Sequence, residues 1–353
     1  MSSTDTAELR ELAESVFTDA YDRADSRSAG ASPGDAVGLD TGLWKTCEQT
    51  GLARMTLPEA AGGSEGTLSD AVALLEAAGA HAARVPLAET DLLGGWLAHA
   101  AGLRVPDGPL VAVAGDLEVA SGGTVSGTLT RVPWGRAVSA VVVLSGSRVV
   151  VLAPSALTVQ EGSNVAEEPR DTLVASDATP LAVGDAPAGA AGELALRAAL
   201  GRSLLLAGAA RGALARSIGY AGERVQFGRP IAKFQAVQQQ LAEAGAEVAA
   251  AAAASAAAAR TAQDRGFDDD ATAFAIAAAK SRCGASATAV ARIAHQVHGA
   301  IGFTREHDLR LTTTRLWAWR DEDGNDSYWN GLVGTRALDA GPDGLWPLVT
   351  GTP

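Results

Sequence analysis

Tyr220-Ala221-Gly222-Glu223-Arg224-Val225-Gln226-Phe227-Gly228-Arg229-Pro230-Ile231, followed by Phe234-Gln235-Ala236-Val237-Gln238, is the stretch on which the reading of this chain turns. A helix-forming run rich in Ala and Leu ends at its start. Gly228 and Pro230 then break helical geometry, because Gly accepts positive φ and Pro has no N–H to donate. A second helix-forming run begins beyond Ile231. The corner between them sets out Arg224, Gln226, Phe227 and Gln235 together. A guanidinium offers a planar fork to a phosphate or pyrophosphate, the Gln side chains offer donors, and Phe offers a flat apolar face.

Outward from this corner the composition stays helical over long spans: about Glu193 to Gly222, Ile231 to Asp264, Asp268 to His298, and a shorter run after Thr304. A bundle is the economical way to bury such helices. The alanine tract Val248 to Ala259, bounded by Glu247 and Arg260 and interrupted by Ser255, is too short and too weakly apolar to span a bilayer, and reads as a closely packed helix. Between about Leu103 and Pro187 the pattern shifts to β-branched runs at Leu110–Val113, Thr124–Leu129, Ala140–Leu144 and Arg148–Leu152, and a Gly-Ser turn between the last two predicts a hairpin. A modest antiparallel sheet is expected there. From Thr4 to about Gly102, Ala, Leu and Glu recur at spacings of three and four, and after Gly62-Gly63 either Thr67 or Ser69 is placed to cap a helix. The expected fold is therefore α+β, mainly α: an N-terminal helical domain over 1–104, a small antiparallel β domain over 105–187, and a C-terminal four-helix bundle over 188–353.

The 353 residues carry 41 acidic and 28 basic side chains, for a net charge of −13. That balance argues against a broad nucleic-acid-binding surface and requires any anionic ligand to find a local basic spot. Cys47 and Cys283 belong to no CxxC, which removes zinc-ribbon and dithiol readings and suits a reducing cytoplasm. The polar N-terminal residues do not read as a secretory signal. A cytoplasmic location with no membrane association is the expectation.

Several formal motifs fail on context. Gly30-Ala31-Ser32-Pro33-Gly34 matches GxSxG, but the preceding Asp22–Ser28 is polar where a nucleophile elbow needs a buried strand. Gly299-Ala300-Ile301-Gly302 follows a helix rather than a strand and lacks the third glycine of a dinucleotide fingerprint. His295 and His298 could face one way beside Glu306, His307 and Asp308, yet two polar residues at a helix end are the better reading, and no metal is assigned. Trp317 and Trp319 cannot share one helix face, so at least one packs rather than stacks on a ligand.

The Tyr220–Gln238 segment resembles the YAxxRxQFGxPIxxFQxxQ segment of the acyl-CoA dehydrogenase family. Gln296-Val297-His298-Gly299-Ala300-Ile301-Gly302-Phe303 resembles that family's QxxGGxGF segment, in the right order. Leu57-Pro58-Glu59-Ala60-Ala61-Gly62-Gly63 is similar to its PExxGG turn. The resemblance implies FAD bound between subunits, in a dimer or tetramer with a like or related chain. It assigns Arg224, Gln226 and Phe227, with Phe234 and Gln235, to the ADP half of the cofactor. Gln296, Gly299 and Ala300 fall beside the pyrophosphate and ribityl parts, and Trp134 in Val132-Pro133-Trp134-Gly135 falls in the stretch that shields the flavin ring.

The chemistry implied is α,β-dehydrogenation of an acyl-CoA thioester, with a carboxylate removing the α-proton, the β-hydride passing to flavin N5, and an electron-transfer flavoprotein as acceptor. In the family the base is often a Glu followed by Gly-Thr, and counting on from Phe303 reaches Asp323-Gly324-Asn325. Asp323 is thus the first candidate base, Glu322 the second, and Asn325 a further cofactor contact. Members that carry the base on the first bundle helix would place it near Ala198, where there is no acid and Glu193 is the nearest. The family's Arg at the thioester falls near Ala199, with Arg197 and Arg202 close enough to serve. Ala300 stands in place of the second glycine of the GG pair, and no TEPxxGSD-type segment stands near Val111–Asp116. These departures leave a second reading beside the enzyme: a non-catalytic subunit that completes the flavin pocket of a partner.

Overall fold

The computed structural model describes residues 3–25 and 38–350. The GxSxG match at 30–34 therefore lies outside the described residues. The chain divides into two compact units, one of Met1–Ala71 with Ala83–Gly201 and the other of Val72–Ala82 with Arg202–Pro353. No helix among the described residues is long and apolar enough to cross a membrane.

The first unit opens with α1 (Ser3–Asp25) and α2 (Thr41–Gln49), whose first turn is capped by Asp40 Oδ1 accepting from Leu43 N at 2.9 Å. The helix α3 (Leu68–Ala80) starts on a reciprocal cap. Asp70 N donates to Thr67 Oγ1 at 3.2 Å and Thr67 N donates to Asp70 Oδ2 at 2.9 Å, so Thr67 rather than Ser69 is the cap. A buried π-helical turn, Glu89–Gly95, runs into α4 (Trp96–Ala100). Asp91 on this turn accepts from Thr56 N at 2.9 and 3.1 Å and from Thr56 Oγ1 at 3.0 Å, which ties it to the chain just before Leu57-Pro58.

The β region holds eight strands: β1 (Leu110–Ala114), β2 (Leu117–Val119), β3 (Val125–Pro133), β4 (Ala140–Ser145), β5 (Arg148–Leu152), β6 (Thr158–Gln160), β7 (Arg170–Ala178) and β8 (Ala182–Asp185). They form two four-stranded sheets, β1-β4-β5-β8 and β2-β3-β7-β6, rather than the single antiparallel sheet expected. β1 pairs with β4 in parallel, Leu110 opposite Ala140 through Ala114 opposite Leu144. The chain leaves β1 for β2 and β3 in the other sheet and re-enters at the same end, which a parallel pair requires. The Val-rich β4 is buried on both faces, so its unbroken apolar run, not an alternation, was the signal. The β4–β5 hairpin forms as read from the residues, with Gly146 at φ 55 in its turn.

The second unit contains most of α5 (Ala190–Glu223), the short strands β9 (Val225–Gln226) and β10 (Arg229–Pro230), then α6 (Gln235–Arg265), α7 (Asp270–His298), α8 (Leu309–Arg320) and α9 (Asp326–Thr350). The alanine tract works as expected. Ala251, Ser255, Ala258 and Ala259 are buried on α6, close enough to α7 that Ser286 Oγ donates to Glu247 O at 3.1 Å. A Cβ at Gly79, Gly208 or Gly212 would strike the backbone of the facing helix, so α3 and α5 approach at a distance only glycine allows. α6 starts at Gln235, not Ile231, because Pro230 is followed by one 3₁₀ turn. α9 was not read from the residues: Gly331, Gly334, Gly341, Pro342, Gly344 and Pro347 dilute its helical pattern, and Gly341 at φ 66 kinks it.

Candidate functional site

The corner after α5 is a hairpin rather than a simple bend. β9 and β10 pair through Gln226 opposite Arg229, and the two residues between them, Phe227 at φ 51 and Gly228 at φ 80, are both left-handed. Two consecutive positive φ angles match the right-handed twist of a tight hairpin, and a bulky Phe in that region is uncommon. Phe227 is 92% exposed. Its ring meets Phe234 edge-on at 6.1 Å, and Arg229 lies 4.4 Å over the Phe234 ring. Arg224 and Gln226 are exposed at the start of the hairpin, and Gln235 is exposed at the start of α6. Of the sequence-predicted cluster, Phe227 and Phe234 are brought into contact, with Phe234 the platform for Phe227 and Arg229.

α7 ends at Gly299, at φ 64 and ψ −145, and a 3₁₀ turn carries the chain to Phe303. The left-handed demand falls on Gly299, and Ala300 does not share it, so alanine is accommodated there without backbone strain. Gln296, Gly299 and Ala300 are exposed, and a Cβ at Gly299 would meet nothing within 4 Å. Beneath the turn lies a stack of rings. His295 is sandwiched between Phe303 at 4.3 Å and Trp317 at 5.0 Å, and His298 stacks on Tyr220 at 4.4 Å with His307 edge-on at 4.8 Å. His298 Nδ1 lies 2.8 Å from Ala294 O, and His295 Nε2 lies 3.0 Å from Thr313 Oγ1. Burial pushes both imidazoles below the ordinary histidine range, and for His298 the neighbouring His307 adds to this while the bond to Ala294 opposes it. Trp319 is buried and Trp317 is 36% exposed, in keeping with at least one of the pair serving as packing.

The loop between α8 and α9 carries the acids. Asp323 at φ 54 and Gly324 at φ 90 turn the chain, and Asn325 caps α9 through Oδ1, which accepts from Tyr328 N at 3.0 Å. Asn325 is thus engaged as a helix cap. Arg202, 5% exposed on α5, donates from Nε to Asp323 Oδ2 at 2.8 Å, and its Nη2 lies 3.4 Å from Glu322 Oε2. Asp323, Glu322 and Arg202 therefore form one cluster. Arg197, in the first unit, pairs through its guanidinium with Glu193 at 2.8 Å and lies 4.5 Å over Trp96.

Trp134 is 3% exposed and sits in the β core with Val132, Leu129 and Leu173. Its side chain supplies packing there and presents no open face. Among the described residues no group of three or more His, Cys, Asp or Glu could hold a metal ion. One buried side chain at the acid loop escaped the sequence reading. Lys280, fully enclosed on α7, donates to the carbonyls of Arg320 at 2.9 Å and Gly324 at 2.8 Å, and a lone lysine in an alanine-rich run gives no sign of where it points.

Comparison with known proteins bears on these elements directly. The profile of the family described as "Acyl-CoA dehydrogenase, C-terminal domain" matches residues 196–331, which contain the hairpin, the Gly299 turn and the acid loop. The chain is 32% identical over 312 residues to "Acyl-CoA dehydrogenase IpdE2" of Mycolicibacterium smegmatis, covering 86% of this chain and 91% of that one. It is 29% identical over 324 residues to the protein of the same name from Mycobacterium tuberculosis, covering 86% and 88%. Its fold is similar to a chain of the ChsE4-ChsE5 complex from Mycobacterium tuberculosis, with a TM-score of 0.82, 22% identity, and 97% and 99% of the two chains covered. It is also similar to butyryl-CoA dehydrogenase from Megasphaera elsdenii, with a TM-score of 0.80, 19% identity, and 96% and 99% covered. Identity of 32% over 86% of this chain and 91% of the relative, with the family profile matched over residues 196–331, makes this chain a member of the acyl-CoA dehydrogenase family of oxidoreductases.

Proposed function

We propose that the chain catalyses FAD-dependent α,β-dehydrogenation of an acyl-CoA thioester, with Asp323 as the base. The observation that carries this reading is the Arg202–Asp323 pair at 2.8 Å, on a loop whose left-handed Asp-Gly turn presents a carboxylate beside a buried cation. Asp323 takes the α-proton onto a carboxylate oxygen, Arg202 holds that carboxylate in place, and Glu322 shares the same guanidinium.

Apart from Trp134, which packs in the β core, and Asn325, which caps α9, the residues assigned to FAD fit such a group. Exposed Arg224 and Gln226 supply a cation and donors, exposed Phe227, Ile301 and Phe303 supply apolar faces, and the open side of Gly299 leaves space against the backbone. FAD, when bound, supplies acceptance of the β-hydride. The reading includes an oligomer with a like or related chain, an electron-transfer flavoprotein as electron acceptor, and a cytoplasmic setting. The test is the absorbance spectrum of the purified chain. Yellow protein bleached anaerobically by an acyl-CoA supports the enzyme, and Asp323→Ala should slow bleaching by about 10³-fold. Unchanged bleaching in that variant would remove Asp323 from the role.

A second reading is favoured by the similarity to a chain of the ChsE4-ChsE5 complex and by the hairpin tip, where Phe227 is almost wholly uncovered. In it the chain completes the flavin pocket of a different subunit through Arg224 and its neighbours. Colourless protein that turns yellow only with a second subunit supports this reading over the first.

A further inference from the structure

Burying the ammonium of Lys280 among alanines is costly, and among the described residues its hydrogen bonds go to two backbone carbonyls rather than to a carboxylate. Those carbonyls belong to Arg320 and Gly324, the two ends of the segment that carries Glu322 and Asp323. Arg320 O is among the last acceptors of α8, which the helix itself leaves unpaired. Between the two, Asp323 O accepts from Trp329 Nε1 at 2.9 Å. Three carbonyls in a five-residue stretch are thus gripped by buried side chains from α7 and α9. The consecutive left-handed residues Asp323 and Gly324 need such restraint, since a non-glycine residue in that region persists only where its surroundings hold it. Asp323 and Asp326 favour the charged amine, Arg202 and burial oppose it, and burial dominates, taking Lys280 down to about 8, with the buried Cys283 thiol alongside.

We infer that Lys280 is a positioning residue for proton abstraction: by holding the carbonyls of Arg320 and Gly324 it sets the loop so that the Asp323 carboxylate meets Arg202 and the substrate's α-carbon. This rests on Asp323 being the base.

The test compares Lys280→Met, Lys280→Arg and Trp329→Phe in the full chain, with its partner subunit if flavin binding needs one. Amide hydrogen exchange is measured without substrate. Lys280→Met should raise exchange selectively over residues 321–325, leaving α6 and the body of α7 protected. In anaerobic bleaching with an acyl-CoA, it should lower the rate by about 10²-fold with KM within twofold, as a loosened catalytic group does, and raise the isotope effect with α-deuterated substrate. Lys280→Arg, which keeps charge and donors, should recover part of the rate. Trp329→Phe removes only the donor to Asp323 O, and should produce a smaller loss of the same kind even if Lys280→Met does not fold. Unchanged exchange at 321–325, or slowing that appears only as lost flavin, would overturn the inference. A wild-type rate in Asp323→Ala would instead overturn the base assignment. Full loss in Asp323→Ala beside wild-type behaviour in Lys280→Met would sink the role of Lys280 alone.

Discussion

Arg202 on α5 and Asp323 in the α8–α9 loop, 121 residues apart in sequence, meet through an Nε to Oδ2 hydrogen bond of 2.8 Å. The guanidinium is nearly enclosed, with 6% of the side chain exposed, whereas the carboxylate retains 28%. One partner is thus fixed by packing and the other keeps access to its surroundings, as a group that must reach a substrate requires.

Replacing the fixed partner should therefore cost both stability and rate. Arg202→Met leaves Glu322 and Asp323 facing one another without their shared cation. Because Asp323 is partly screened by solvent, the expected loss is about 1–3 kcal/mol rather than the full value for a buried pair. Arg202→Lys restores the charge without the fork and should fall between. Thermal melts and bleaching rates check both, and a variant with wild-type values in each would separate Arg202 from the acid.

Phe227 should divide folding from binding. Its ring is almost fully exposed and its φ of 51 is one that glycine adopts freely, so Phe227→Gly relieves strain while removing only the edge contact to Phe234. The melting temperature should change little, by an amount equivalent to about 1 kcal/mol or less. The ratio of flavin to protein absorbance should drop. Retention of full flavin occupancy would move the cofactor away from the hairpin.

Asp91 gives the first unit a distinctive pH response. Burial raises its carboxyl from 3.8 to about 6, against the lowering effect of its bonds from Thr56 and Leu57 and of the Arg197 charge. The folded chain therefore keeps a proton that the unfolded chain has lost. Stability attributable to this group is present below its unfolded value and declines as pH rises through the window from 3.8 to about 6, by roughly 3 kcal/mol in all. Asp91→Asn should remove that component. Denaturant titrations of both proteins across the window would reveal it as a difference in slope, and parallel curves would contradict it.

The imidazole stack acts in the opposite direction. With His298 lowered by burial and by His307, the unfolded chain takes up a proton on acidification before the folded chain does. Stability contributed by the neutral ring is complete above the ordinary histidine value and is lost as pH falls below it. His298→Gln should weaken the ring stack on Tyr220 at neutral pH yet flatten the acid limb. A melting profile of the variant that keeps the wild-type acid slope would assign that slope to other groups.

Residues acting through local backbone preference were legible before any coordinates. The β4–β5 hairpin follows from Gly146 between Val-rich runs, the break at Gly228 and Pro230 from backbone chemistry, and the start of α3 from a cap at Thr67 or Ser69, between which the structure chose. Each depends on neighbours in the chain. Asp323 and the hairpin residues were likewise reachable by motif, because a motif is a local spacing. The parallel pairing of β1 with β4, the enclosure of Trp134 and the grip of Lys280 on Arg320 and Gly324 were decided only by the tertiary structure. Each is a relation between segments distant in the chain, set by how apolar surfaces pack and which polar groups are left needing a partner once they have. No count of positions along the chain contains that information.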